Sequence, residues 1–456
     1  MAHLFDPSIL REYDIRGVAG RTLHAADAEA LGRSFGTLIR RAGGGRVAVG
    51  RDGRLSSPAL EAALVAGLAA SGVDVVRIGI GPSPMLYHAA AALADGGIQV
   101  TGSHNPADHN GFKMTHRARP VFGAAIRDLA RCAAAGDWES GAGTISAADV
   151  LPGYVRRVAA GCTDALRIGW DAGNGAAGPA IEQLVRLLPG EHHLLFTDVD
   201  GHFPHHHPDP TEDANLADLR ALVAARQLDF GVAFDGDGDR IGAIDGRGRV
   251  LRGDQILSIL VAPVLRAHPG AAIVADVKCG TALFDRIAAL GGRPVMWKSG
   301  HSNIKAMMRE VDAPIAGEMS GHIFFGGDWL GSDDALHAAV RLIEAVAASG
   351  GSLAAQRDAM PATASTPEMR FAVDPARKSA VVAEVAARLR AAGATVDMVD
   401  GVRVATADGW WLLRASNTED LLTARAEAHD DAALARVIAQ IDAQLAASGI
   451  ARHAAQ

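Results

Sequence analysis

Cysteine, aromatic residues and surplus positive charge are all scarce in this chain. The three cysteines, Cys132, Cys162 and Cys279, have no paired spacing, which argues against a disulfide framework and a structural zinc site. Aromatics make up 5% of the residues while glycine alone counts 52, so close packing falls largely to small side chains. A net charge of −8 leaves no basic footprint for nucleic acid. Any anionic ligand must therefore be held by a local cluster of cations and amides. Long apolar runs are missing too. The most apolar helical stretch, Gln255 to Leu265, is too short to span a bilayer and contains Pro263. The opening residues MAHLFDPSILREYDIRG carry charges throughout, with no apolar signal core. These absences predict a cytoplasmic protein without membrane or nucleic-acid partners, and a monomer is the working expectation.

What is present reads as α/β. A length of 456 residues suggests about three domains, and 49% hydrophobic with 21% charged residues suits ample cores. Short apolar runs (Val47–Gly50, Val73–Ile80, Ile98–Val100) alternate with helical stretches such as Pro58–Ser71 and Met85–Ala94. Three times an apolar strand runs into a Gly-containing polar loop: Gly97–Val100 into TGSHNP, Phe230–Phe234 into DGDGDR, and Pro314–Ala316 into GEMSGH. Ligands gather where parallel strands open into loops, so three related α/β units facing one cleft are expected. The tail differs. A helix over Pro375–Ala392 precedes strands at Arg403–Ala405, Trp410–Arg414 and Leu421–Glu427, then a closing helix, as in an α+β domain. The expected units are 1–148, 149–250, 251–361 and 362–456.

Each loop has a chemical and a plain reading. In Asp235-Gly236-Asp237-Gly238-Asp239-Arg240, three alternating carboxylates can wrap one hard cation, or form an acidic turn. Arg240 stands where an EF-hand needs glycine. In Thr101-Gly102-Ser103-His104-Asn105-Pro106, Ser103 is exposed and approachable if it acts as a nucleophile, and otherwise sits in a polar turn. Gly317-Glu318-Met319-Ser320-Gly321-His322 offers a carboxylate, hydroxyl and imidazole that can grip sugar hydroxyls. Lys298–Asn303 reads as a helix start capped by Ser302, with His301 near its positive end. Arg414-Ala415-Ser416-Asn417-Thr418 can form an anion nest or a capped turn. His205-His206-His207 has consecutive spacing that does not converge on a metal. Tyr13–Gly17 is a strand edge from which Arg16 can reach a phosphate.

Taken in order, YDIRG, GRDGRLSSP, TGSHNP with Asn110–Lys113, FPHHHPDP, DGDGDR, DVKCG, KSGHSNIK, GEMSGH and RASNTED resemble the α-D-phosphohexomutase superfamily. The closest resemblance is to its bacterial phosphomannomutase/phosphoglucomutase branch, over essentially the whole chain. It implies four domains around a central cleft. It also implies interconversion of hexose 1- and 6-phosphates (mannose and/or glucose) through phosphoserine and a hexose 1,6-bisphosphate. Ser103 would carry the phosphate and join Asp235, Asp237 and Asp239 around Mg²⁺. Arg16, His104, Lys113 and Arg240 would surround the transferring group, with Lys113 or His104 handling the hydroxyl proton. Tyr13, Lys278, His301, Glu318, Met319, Ser320, Gly321 and His322 would line the sugar, and Arg414, Ala415, Ser416, Asn417 and Thr418 the other phosphate.

Departures from the branch are few: His205, Gly280 after DVKC, and Glu419-Asp420 in place of a terminal proline. Met319 resembles the mannose/glucose branch, whereas phosphoglucosamine mutases tend to carry glutamine. The competing readings are that mutase, a metal-dependent sugar-phosphate phosphatase with an aspartate nucleophile, and a binding module without a nucleophile.

Overall fold

The structure is a computed structural model describing residues 2–416 and 421–451. Its strands form four sheets. In the first, Arg46–Arg51 lies between parallel neighbours Asp74–Ile80 and Gly96–Val100, and His109–His116 pairs antiparallel with the latter. The second repeats this with Leu166–Asp171 between Gly190–Leu195 and Phe230–Phe234, followed by antiparallel Ile241–Asp245. The third repeats it again: Ala272–Asp276 between Arg293–Trp297 and Ile315–Gly317, then antiparallel Ile323–Phe325. All three α/β units thus share the spatial order 2-1-3-4. TGSHNP, DGDGDR and GEMSGH each link the third strand of a unit to its fourth.

Burial explains why these strands read as apolar runs. Gly96–Val100, Phe230–Phe234 and Ala272–Asp276 are buried along their whole length, covered by helices on both faces. Helices begin where proline pre-sets the first turn, as at Pro58 in Ser57–Ala70 and Pro84 in Ser83–Leu93.

The C-terminal sheet is wholly antiparallel, with Val402–Ala405, Gly409–Ala415 and Leu421–Ala428 at its centre. Helices Lys378–Ala391 and Asp431–Ala446 accompany it, an α+β arrangement. The helical stretch expected over Gln255 to Leu265 is the helix Gly253–Ala267, which runs through Pro263 as expected. The helix expected from Pro375 begins at Lys378, because Asp374 first turns the chain by accepting from the N–H groups of Ala376 and Arg377. No helix among the described residues is long and apolar enough to cross a membrane.

Candidate active site

Ser103 holds φ at +50°, a left-handed conformation that a non-glycine residue keeps only when its surroundings impose it. Arg54 imposes it. Its guanidinium donates to the carbonyls of Ser103 and Asn105 at 2.6 Å each, Pro106 at 2.5 Å and His109 at 2.9 Å. Asp52 pairs with Arg54 at 3.1 Å and accepts the Gly102 N–H at 3.1 Å. A Cβ at Gly102 would lie 2.5 Å from the guanidinium, so only glycine lets the arginine under the loop.

The expectation of an exposed serine fails, since Ser103 is 1% exposed. The acidic loop covers it: Ser103 Oγ donates to Asp235 Oδ2 at 2.7 Å and lies 3.2 Å from His104 Nδ1. Asp235, Asp237 and Asp239 are fully buried, with one oxygen from each within 4.8 Å of the others. Asp237 Oδ1 has no hydrogen-bond partner. A buried anionic oxygen left unpaired is costly, and a cation held among the three carboxylates would relieve that cost. The residues present therefore fit a metal ion.

Lys113, from the strand leaving the serine loop, sets Nζ 2.7 Å from Asp237 and 2.5 Å from Asp239. Burial alone would lower its pKa, but the two carboxylates more than reverse this and keep it protonated. Burial, with Asp237 and Asp239 nearby, pushes Asp235 up to about 8. His104 goes the other way. Burial and the cations Arg240, Arg16 and Lys113 hold it well below the usual imidazole range, so it is neutral. Arg16 donates to Asn105 Oδ1 at 2.6 Å and to Asp14 at 2.5 Å.

His322 joins the GEMSGH loop to the acidic loop. Its Nδ1 lies 3.3 Å from Glu318 and its Nε2 3.2 Å from Asp239. Burial opposes its charge, yet Asp239 and Glu318 carry its pKa up to about 9. An isolated bridge between Arg240 and His322 stitches the two backbones together. Ser320 Oγ lies 3.2 Å from His322 Nδ1, and the Met319 N–H donates to Asp276 at 3.1 Å. Tyr13 donates to the Ser299 carbonyl at 2.8 Å, and its ring meets His301 edge-on at 5.9 Å. His301 is neutral, held well below its usual value by burial and by Lys305 and Lys113.

The helix there starts at His301 with Gly300 as its cap. Ser302 is inside it and does not cap, correcting that expectation. Gly300, at φ +111°, leaves room for the Tyr13 ring, which a Cβ would meet at 2.3 Å.

Other expected site residues stand apart from Ser103. Lys278 Nζ lies 3.7 Å from Glu368, and Arg414 is held by Asp400 at 2.9 Å. Ala415 ends its strand, and the Ser416 N–H donates to the Leu421 carbonyl at 3.0 Å. Asn417 and Thr418 lie outside the described residues. The three consecutive histidines diverge, as their spacing predicts: His205 to Asn174, His206 to Asp171, and His207 to the carbonyl of His104.

Family models for phosphoglucomutase/phosphomannomutase match four successive segments. Alpha/beta/alpha domains I, II and III match residues 7–138, 152–248 and 252–363, and the C-terminal domain matches 368–444. The chain belongs to the phosphoglucomutase/phosphomannomutase family. It is 41% identical to the phosphomannomutase/phosphoglucomutase of Pseudomonas aeruginosa over 94% of each chain. It is 39% identical to a phosphoglucomutase of Neisseria gonorrhoeae, covering 94% of this chain and 95% of that one. Among solved structures, a phosphoglucomutase/phosphomannomutase family protein from Burkholderia thailandensis superimposes with a TM-score of 0.92 at 42% identity, over 98% of each chain.

For this phosphoglucomutase/phosphomannomutase family member, sequence reasoning missed four supporting residues. Arg54 and Asp52 brace the serine loop, and their only sequence signal is a pair of opposite charges in GRDGR just after a strand. Ser83 donates to Asp237 at 2.5 Å from the start of its helix, and Asp400 grips Arg414. The first contact joins residues far apart in sequence, and the second crosses from the turn before one strand to its antiparallel neighbour; neither leaves a local pattern.

Proposed function

We propose that this chain interconverts hexose 1-phosphates and hexose 6-phosphates by passing the phosphoryl group through Ser103 and a hexose 1,6-bisphosphate. The observation that carries this reading is Ser103 Oγ seated 2.7 Å from Asp235, inside the ring of Lys113, Arg16, Arg240 and His322. Phosphoryl transfer asks for positioning and charge neutralisation more than covalent help, and this ring supplies both. Bound by Asp235, Asp237, Asp239 and the Ser103 phosphate, Mg²⁺ would add positive charge against the phosphoryl oxygens. Arg16 and Lys113 lower the repulsion between phosphoserine and an incoming sugar phosphate. Neutral His104, 3.2 Å from Oγ, can take or return a hydroxyl proton. Protonated Lys113 is the poorer base.

Glu318, Ser320 and His322 hold sugar hydroxyls, with Tyr13, Lys278, His301, Met319 and Gly321 around them. Arg414, with Ala415 to Thr418, binds the phosphate that is not transferred. The bisphosphate turns end for end between half-reactions and also serves as activator. The four units divide near residues 149, 251 and 362, and the enzyme works as a cytoplasmic monomer on small sugar phosphates.

An aspartate-nucleophile phosphatase is not favoured. Asp235 is engaged by the N–H groups of Asp239 and Arg240 as well as by Ser103, so it is presented as a ligand. Met319 and the relatives' names favour mannose and glucose over glucosamine phosphates. A parallel assay of mannose, glucose and glucosamine 1-phosphates tests this. The first two should turn over comparably, with activity lost in Ser103→Ala and on chelation of divalent ions. Glucosamine 1-phosphate turning over fastest, or activity surviving either treatment, would refute it.

A further inference from the structure

Ser299, at the turn before the helix His301–Glu310, is held from three sides. Its hydroxyl donates to Asp276 at 2.5 Å, its carbonyl accepts Tyr13 at 2.8 Å, and its N–H donates to Asp400 Oδ2 at 3.1 Å. That same Asp400 oxygen accepts from Arg414 Nε at 3.1 Å and lies 2.9 Å from Arg414 Nη2. We infer that Asp400 is a positioning residue, orienting the Arg414 guanidinium toward the untransferred phosphate and registering the C-terminal domain against the sugar-holding loop. The inference rests on the phosphohexomutase reading above and extends it to a residue that touches no substrate.

Guanidinium geometry supports this assignment. Arginine presents five N–H donors in one plane. Asp400 occupies the Nε/Nη2 edge and leaves the Nη1/Nη2 edge to take a phosphate with two parallel bonds. A carboxylate on the far edge fixes a long side chain that would otherwise lose rotamer freedom on binding. Its own charge stays on the side away from the ligand. Arg414 is 7% exposed, so little room remains for other orientations.

Local backbone chemistry places Asp400 there. Gly401 turns the chain at φ +90°, and a Cβ on it would come within 2.4 Å of the Leu413 carbonyl and 2.7 Å of Arg414 Cβ. Glycine therefore lets the Asp400 turn lie flat against the strand bearing Arg414.

The other end of the link reaches the sugar. The Gly300 N–H, next to Ser299, donates to Glu318 Oε1 at 2.6 Å. Asp400, Ser299, Gly300 and Glu318 thus form a continuous polar path from the phosphate arginine to the hydroxyl-binding carboxylate. Because this path does not involve Ser103, it serves both orientations of the sugar alike.

The test is steady-state assay of full-length Asp400→Ala and Asp400→Asn in each reaction direction, with saturating glucose 1,6-bisphosphate. Asp400→Ala should raise KM for glucose 1-phosphate and glucose 6-phosphate by about tenfold each, with kcat within about threefold of wild type. Asp400→Asn, which keeps an oxygen acceptor, should recover most of the loss. Adding Asp400→Ala to Arg414→Ala should raise KM no further, since residues acting through one contact are not additive. Unchanged KM in Asp400→Ala, or a fully additive double variant, would overturn the assignment. A fall in kcat at constant KM would also overturn it, by showing a merely structural role. An inactive wild type would instead strike the phosphohexomutase reading.

Discussion

Ala48, Ile168 and Ile273 belong to three different sheets, yet one continuous apolar core contains them all. Trp411 and Leu413 of the C-terminal sheet pack in a separate core. Between the two lies a small cluster, Val277, Trp410 and Leu412, with Met296 against it. Arginines do much of the rest of the joining. Arg403 donates to the carbonyls of Val277 and Cys279, Arg425 to that of Lys278, and the Arg403 guanidinium lies 3.8 Å over Trp410. Gly280 belongs to this joint, because a Cβ there would meet the Glu427 carboxylate at 2.9 Å. The first three units are fused, and the fourth is docked through a mostly polar seam. Relative motion is the ordinary expectation for such a seam. Ser103 thus sits on the fused side, and Arg414 on the docked side; on the proposed reading, opening at that seam would let the bisphosphate turn.

The largest break expected in that contrast comes from Arg54→Ala, on the fused side. It would strand the Ser103, Asn105, Pro106 and His109 carbonyls and leave Asp52 unpaired, costing about 3–5 kcal/mol. The serine loop would shift, and kcat should fall about a hundredfold. Thermal unfolding and steady-state kinetics on one preparation should show both losses. A stable but slow variant would mean that Arg54 positions the loop without supporting the fold.

Arg414→Ala probes the docked side. It removes charge-assisted contacts worth about 1.5–3 kcal/mol, so KM should rise at least about tenfold for 1- and 6-phosphates alike. More glucose 1,6-bisphosphate should escape per turnover, making activity depend on added bisphosphate. Following bisphosphate in solution checks this, and normal turnover without added activator would remove Arg414 as the clamp.

The smallest effect concerns pH on the fused side. Asp334 caps the helix Ala335–Ala348 through the His337 N–H and accepts Tyr154 at 3.0 Å. Burial and neighbouring Asp333 raise its pKa to about 7, against those hydrogen bonds. A carboxyl raised in the folded state costs stability as pH climbs from its ordinary value to the raised one, and the cost is complete above it. Asp334→Asn keeps an oxygen acceptor and should stabilise by about 1–2 kcal/mol above pH 7, with no gain below about pH 4. Melting curves across that range decide it.

How much of this was legible beforehand follows from where the information lies. The TGSHNP, DGDGDR and GEMSGH loops were readable as strand-end loops because each follows a buried apolar strand. The α+β tail was readable from its change of pattern. The burial of Ser103 was not, because it depends on the acidic loop of another unit closing over it. The cap at Gly300 was hidden because the Tyr13 ring, far away in sequence, selects it. Arg54 and Asp400 escaped for a related reason, since the groups they hold include backbone carbonyls and an N–H far away in sequence.

The central claim is that Ser103 carries the phosphoryl group, and peptide mass spectrometry tests it most directly. After incubation with glucose 1,6-bisphosphate and Mg²⁺, phosphate should appear on the peptide bearing Ser103 and disappear when glucose 6-phosphate is added. Phosphate on Asp235, or on no residue of an active preparation, would contradict the account.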